Sequence, residues 1–217
     1  MQATTNSVLR RVLSYPIEKF FGSTIAITVF FVLYFYILEH PTRPPQTMPI
    51  LAVDQWVPVL SWTAWMYFSL WFFICIPLAL MENRRVMLFY LGGALLLSII
   101  GLSIFYFYPT MVPITETDWS RYPTLEFLKS SDNVGNACPS LHVGFATFSG
   151  CWFVWLLRKL RLSPLWVGLS ILWGLAIMVS TLTTKQHVLV DVIFGFLLGG
   201  LVFWVNAYFV NRTQLDI

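Results

Sequence analysis

The stretch HVLVDVIFGFLLGGLVFWVNAYFVN (His187–Asn211) opens on a histidine and an acid, then continues without charge from Val192 to Asn211. That run matches the roughly 20 apolar residues that carry a helix across a bilayer. The pattern recurs along the chain. Charge-free runs also cover Phe20–Leu38, Gln55–Met81, Val86–Thr115, Asn133–Leu157 and Leu162–Thr184. The 217 residues are 58% hydrophobic and 11% charged, against about 45–50% and about 25% in an average soluble domain. A soluble core has no use for six such runs. The sequence therefore reads as an all-α, polytopic membrane bundle of six transmembrane helices, at about 22–38, 57–80, 86–107, 139–157, 163–182 and 187–209. It reads as a single membrane-embedded domain over 1–217, with an N-terminal interfacial segment at 1–21.

The first run is too long for a cleavable signal peptide, and Glu39-His40-Pro41 follows it instead of small residues. Three cysteines, an odd number, give no disulfide framework. Cys75 and Cys151 read as small buried residues within spans, and Cys138 as a spacer.

Charge sets the expected orientation. Arg10, Arg11, Lys19, Arg84, Arg85, Arg158, Lys159, Arg161 and Arg212 fall on one side, and only Arg43, Arg121, Lys129 and Lys185 on the other. The positive-inside rule then places both termini in the cytoplasm. Glu39, Asp54, Glu116, Asp118, Glu126, Asp132 and Asp191 fall on the opposite face, with the two long loops, 39–56 and 108–138. Long connections in compact proteins are often functional, so chemistry is expected on the extracytoplasmic side.

Three histidines are available: His40, His142 and His187. Pro139 suits a helix's first position, which puts His142 in the first turn of the fourth span. His187 opens the sixth, with Asp191 four residues on and on the same helical face. Both spans run inward from the outside, so the two histidines and the carboxylate converge on one rim. A charged aspartate inside a span costs on the order of 2.5–3.5 kcal/mol at the centre and less near the rim, and is functional by default. Two histidines and a carboxylate could also form a facial metal triad, or lock helices together. Gly195, Gly199 and Gly200 read as close-packing positions.

The paired stretches CPSLH (Cys138–His142) and STLTTKQHVLVDVIFG (Ser180–Gly195) resemble the second and third motifs, PSGH and SRxxxxxHxxxD, of the type 2 phosphatidic acid phosphatase superfamily. Pro139, Ser140 and His142 match the second motif, with Leu141 for glycine. Ser180, His187 and Asp191 match the third, with Thr181 for arginine. The leucine form, FYPTMVP (Phe107–Pro113) and MPILAVDQWVPVLSW (Met48–Trp62) are similar to the inositol-phosphorylceramide synthase branch and its bacterial relatives. The first motif, KxxxxxxRP, has no counterpart after the third span.

The resemblance implies a lipid phosphatase or phosphotransferase working through a phosphohistidine on His187. Asp191 would orient it, and His142 would serve as acid and base. Ser140, Ser180, Lys185 and Arg121 would bind the phosphate, with Lys185 standing in for the missing arginine. It implies no cofactor and no metal. The substrate would be a phospholipid, or an isoprenoid or sphingolipid phosphate, at the extracytoplasmic face of a bacterial cytoplasmic membrane. Hydrolysis is expected ahead of transfer to an alcohol. The non-catalytic alternative is a transporter or lipid-binding scaffold with a degenerate site.

Overall fold

The computed structural model describes residues 2–114, 117–130 and 135–213; Glu116, Asp132 and the side chain of Lys129 lie outside the described residues. The protein is 75% helical. Helix α1 (Gln2–Leu13) is followed by α2 (Pro16–Glu39) and a short α3 (Ala52–Trp56). A broken helical stretch, Ser61–Leu80, follows as a 3-10 turn (Ser61–Thr63), α4 (Ala64–Phe68), α5 (Leu70–Phe73) and α6 (Cys75–Leu80). Then come α7 (Arg84–Phe107), α8 (Pro123–Ser130), α9 (Leu141–Lys159), α10 (Pro164–Thr183) and α11 (Leu189–Arg212).

Among the described residues five helices are long and apolar enough to cross a membrane: Pro16–Glu39, Ser61–Leu80, Arg84–Phe107, Pro164–Thr183 and Leu189–Arg212. The fourth expected span, α9, is not among them. It lies at the centre, packed by α10, α11, α7, α5 and α6, so much of its surface meets protein instead of lipid. It can therefore carry His142, Gly144, Thr147, Ser149 and Gly150 in place of a uniformly greasy sequence.

Residues 2–21 divide between two helices, α1 and the first turns of α2. Tyr15 adopts a left-handed conformation (φ 49°) and Pro16 begins α2, where the fixed proline φ suits a first turn. The buried Lys19 ammonium joins two helix ends: it donates to the carbonyls of Arg11 (2.6 Å) and Ala79 (2.9 Å), in the last turns of α1 and α6.

Two glycines let α9 and α11 touch backbone to backbone. A Cβ on Gly195 would stand 2.3 Å from the Ser140 carbonyl oxygen, and one on Gly199 the same distance from that of Gly144. Gly200, expected to pack alongside them, faces open space.

The two long loops are stitched together. Strands β1 (Gln46–Thr47) and β2 (Thr110–Met111) pair in parallel, and Thr110 bridges to Asn136. The Thr110 carbonyl accepts from Ala137 N (3.1 Å), and its hydroxyl from Cys138 N (2.8 Å). Thr110 thus fixes the approach to α9.

Candidate active site

Ser140 is the N-cap of α9: its hydroxyl oxygen accepts from Val143 N (3.3 Å) and its carbonyl from Gly144 N (2.9 Å). Pro139 therefore precedes the helix instead of starting it, because serine's side chain can satisfy a first-turn N–H and proline's cannot. Ser140 N in turn donates to the Asp191 carbonyl (3.1 Å), tying the head of α9 to that of α11. Leu141, in glycine's place, lies over Gly101, where a Cβ would meet its side chain at 2.3 Å.

His142 is buried and held from two sides. Its ring stacks on Tyr67 (centroids 3.8 Å apart, 12° between planes), and Trp71 meets it edge-on at 6.4 Å. Its Nε2 lies 2.9 Å from the Tyr67 carbonyl oxygen. A carbonyl oxygen only accepts, so Nε2 carries the hydrogen. Tyr67 lies just before the first of two breaks in the helical stretch, at Ser69 and again at Ile74. Pro77 has no N–H for the ladder there, and the Tyr90 hydroxyl donates to the Ile74 carbonyl (2.6 Å).

His187 stands just before α11, whose N-cap is Val188. Its contact with Asp191 therefore arises from capping and not from a shared helical face. Asp191 reaches back so that Oδ2 accepts from Val188 N at 3.0 Å and lies 3.5 Å from His187 Nδ1. That is ion-pair distance, without a formed hydrogen bond. Asp191 is fully buried, and its Oδ1 and His187 Nδ1 have no hydrogen-bond partner among the described residues. Buried unsatisfied polar atoms are rare in folded proteins and mark sites that want an explanation.

The C-terminal turn of α10 places the histidine. The Thr181 carbonyl accepts from Gln186 N (3.0 Å) and His187 N (3.1 Å). Ser180 is buried and donates to the Ile177 carbonyl (2.6 Å), so its hydroxyl supports this turn. Thr181, where the resembling family has arginine, is completely buried and donates to the Met178 carbonyl (2.7 Å). Lys185 has a left-handed backbone (φ 56°), and its ammonium donates to the carbonyls of Val57 (2.7 Å) and Asp54 (3.1 Å). Burial lowers its pKa, an effect Asp54 opposes.

The structure gathers most of the expected residues. His142 and His187 line one cavity of about 90 Å³, together with Tyr67, Trp71 and Asn136. His187 also lines a second cavity of about 240 Å³, with Lys185 and Asp54. Ser140 and Asp191 lie directly behind. Arg121 is not brought in: it is exposed and pairs with Asp118 at 3.0 Å. His40 is exposed and stacks on Tyr36. Among the described residues no three of His, Cys, Asp and Glu gather as a metal-ligand set.

Sequence reasoning missed three groups. Asp54 is buried; Oδ1 accepts from Leu189 N (2.7 Å) and Oδ2 from Leu51 N (2.8 Å), latching the first long loop to the head of α11. Its signal was a lone acid among apolar residues beside a span. Gln186 is buried with both amide atoms unpartnered among the described residues; its signal was its place next to His187. The Tyr67 carbonyl carries no sequence signature at all.

Comparison with curated proteins and with solved structures finds no match. The paired histidines nevertheless fall inside a family model, described as the PAP2 superfamily, that matches residues 84–214. Three-fifths of the chain is covered, with both motifs in it, and the protein belongs to that superfamily of phosphoesterases and phosphotransferases.

Proposed function

We propose that this protein is an integral membrane lipid phosphatase that works through a phosphohistidine. The observation that supports it is the placing of His142 and His187 on one cavity, with Asp191 behind His187. Asp191 sits at Nδ1, which leaves His187 Nε2 to attack phosphorus. The Nε2–P bond forms as the ester P–O bond breaks, and His142 gives a proton to the leaving oxygen. His142 keeps its Nε2 hydrogen on the Tyr67 carbonyl, so the proton it passes is that of Nδ1, and His142 enters the step as the imidazolium and leaves it neutral. Water then attacks phosphorus, His142 takes its proton, and the N–P bond breaks to release phosphate. Acid–base assistance of this kind contributes typically about 10²–10⁴-fold.

The phosphate's charge meets the head of α9. The cap claims the N–H groups of Val143 and Gly144, leaving those of Leu141 and His142, and the positive end of the helix dipole, for an anion. Lys185 adds a full positive charge beside His187 and takes the place of the absent arginine. An active site at an extracytoplasmic rim suits a lipid whose phosphate lies at that depth. The leucine form of the second motif supports a second reading, head-group transfer to an alcohol as in the inositol-phosphorylceramide synthase branch.

The test is purified protein against a panel of lipid phosphates, with rising inositol, glycerol or ceramide and both free phosphate and new lipid products measured. Phosphate release that is insensitive to the alcohols supports hydrolysis. Release that falls as a phosphorylated product rises supports transfer, and no turnover on any member refutes both.

A further inference from the structure

A groove of about 500 Å³ runs beneath α2, between it, the Trp71–Leu78 stretch and α7. Its walls are apolar apart from Ser23, Ser98 and the Tyr90 hydroxyl. Three aromatic residues, Phe30, Trp71 and Phe145, line both this groove and the cavity that holds His142 and His187. Phe30 meets Phe145 edge-on at 5.5 Å, and Trp71 stands edge-on to His142. The three rings form a collar between a polar pocket and an apolar one.

We propose that this groove holds the hydrocarbon tail of the lipid phosphate and sets the chain length the enzyme accepts. This rests on the reading of the His142–His187 cavity as the phosphate site. The wall the two cavities share at the collar argues for the occupant: a molecule with its phosphorus at His187 has its nearest apolar continuation past Phe30 and Phe145. The groove is lined on α7 from Leu88 to Leu102, which at 1.5 Å per residue is about 21 Å. One leaflet of a bilayer core about 30 Å thick is about 15 Å deep. A tail that fills the groove from the outer rim therefore passes the bilayer midplane. The matching substrate class is a lipid phosphate with one chain longer than a leaflet is deep, as polyisoprenoid chains are, in preference to a two-chain glycerolipid.

Gly22 and Gly92 supply the test. Both line the groove, and a Cβ on either meets nothing within 4 Å, so added bulk enters the groove without moving backbone. Gly92→Leu is expected to lower kcat/KM at least tenfold for a long polyprenyl phosphate while leaving a short-chain alkyl phosphate unchanged. Gly22→Leu, at the far end, is expected to penalise only the longest chains of a graded series. Gly168→Leu, equally unobstructed and outside the groove, is expected to change neither substrate. A polyprenyl phosphate with a photoreactive tail is expected to crosslink to α2 and α7 in wild type and in His187→Ala alike. An unchanged chain-length profile in Gly92→Leu, or crosslinks spread evenly over the outer surface, overturns the proposal and leaves the groove to bulk membrane lipid. Tail crosslinks in α2 and α7 together with full turnover in His187→Ala would refute the catalytic reading instead.

Discussion

At the residue scale the site is a set of buried polar groups fixed by backbone. His142 takes its orientation from the Tyr67 carbonyl and ring, His187 from the last turn of α10, and Asp191 from the cap of α11. Groups that act as a unit show non-additive losses. We expect His142→Ala and Asp191→Ala each to cost about 10²–10⁴ in kcat, and the double variant to be little worse than the poorer single one; additive losses would argue for separate roles. Lys185 gives a pH signature. Burial favours its neutral form, so the proton leaves below the ordinary lysine value of about 10.4. If the ammonium balances the phosphate, activity falls as pH rises through that lowered pKa. Lys185→Arg, which stays charged, is expected to retain activity and move the alkaline limb to higher pH. A limb that does not move would assign Lys185 to holding the Asp54–Val57 segment alone.

At the element scale the pieces are joined by a few short-range devices. Asp54 accepts two backbone hydrogen bonds, and bonds to a charged group are worth about 1.5–3 kcal/mol each. Asp54→Ala is therefore expected to lower the thermal midpoint in detergent and reduce turnover, with Asp54→Asn intermediate. Gly195→Ala and Gly199→Ala force α9 from α11, since each new Cβ would overlap a carbonyl oxygen; overpacking costs typically about 1–3 kcal/mol. Gly200→Ala meets nothing and is expected to be neutral or to stabilise by up to about 1 kcal/mol. Equal melting temperatures for Gly199→Ala and Gly200→Ala would contradict the close contact. The apolar runs made the long helices legible because hydropathy reports on contact with lipid. For the same reason α9, wrapped by protein, reads as the least apolar, and α2 starts before its apolar run does. His187 and Asp191 were legible because their spacing is local, and His142 because CPSLH resembles a family motif at the start of a span. The Asp54 latch, the Thr110 clasp and the collar at Phe30 were not, since each depends on residues that meet only once the bundle has formed.

At the scale of the whole molecule, the arrangement is a membrane-embedded helical protein with a polar pocket at one end of its central helix. Its orientation is open to test by thiol labelling, though not through Cys138. That thiol is half-buried, and burial with the nearby Asp191 charge pushes its pKa up to about 11, so it reacts slowly near neutral pH. Ile114 is 89% exposed in the same long loop. With Cys138 replaced by serine, Ile114→Cys is expected to react with an impermeant maleimide in intact cells; reaction only after lysis would place the site on the cytoplasmic side. The central claim is that phosphorus passes through His187. The most direct measurement is acid-labile phosphate on protein rapidly quenched after mixing with a ³²P-labelled lipid phosphate. Label on His187 is expected in the wild type and none in His187→Ala; turnover without any label, or label that survives the loss of His187, would rule out a phosphohistidine there.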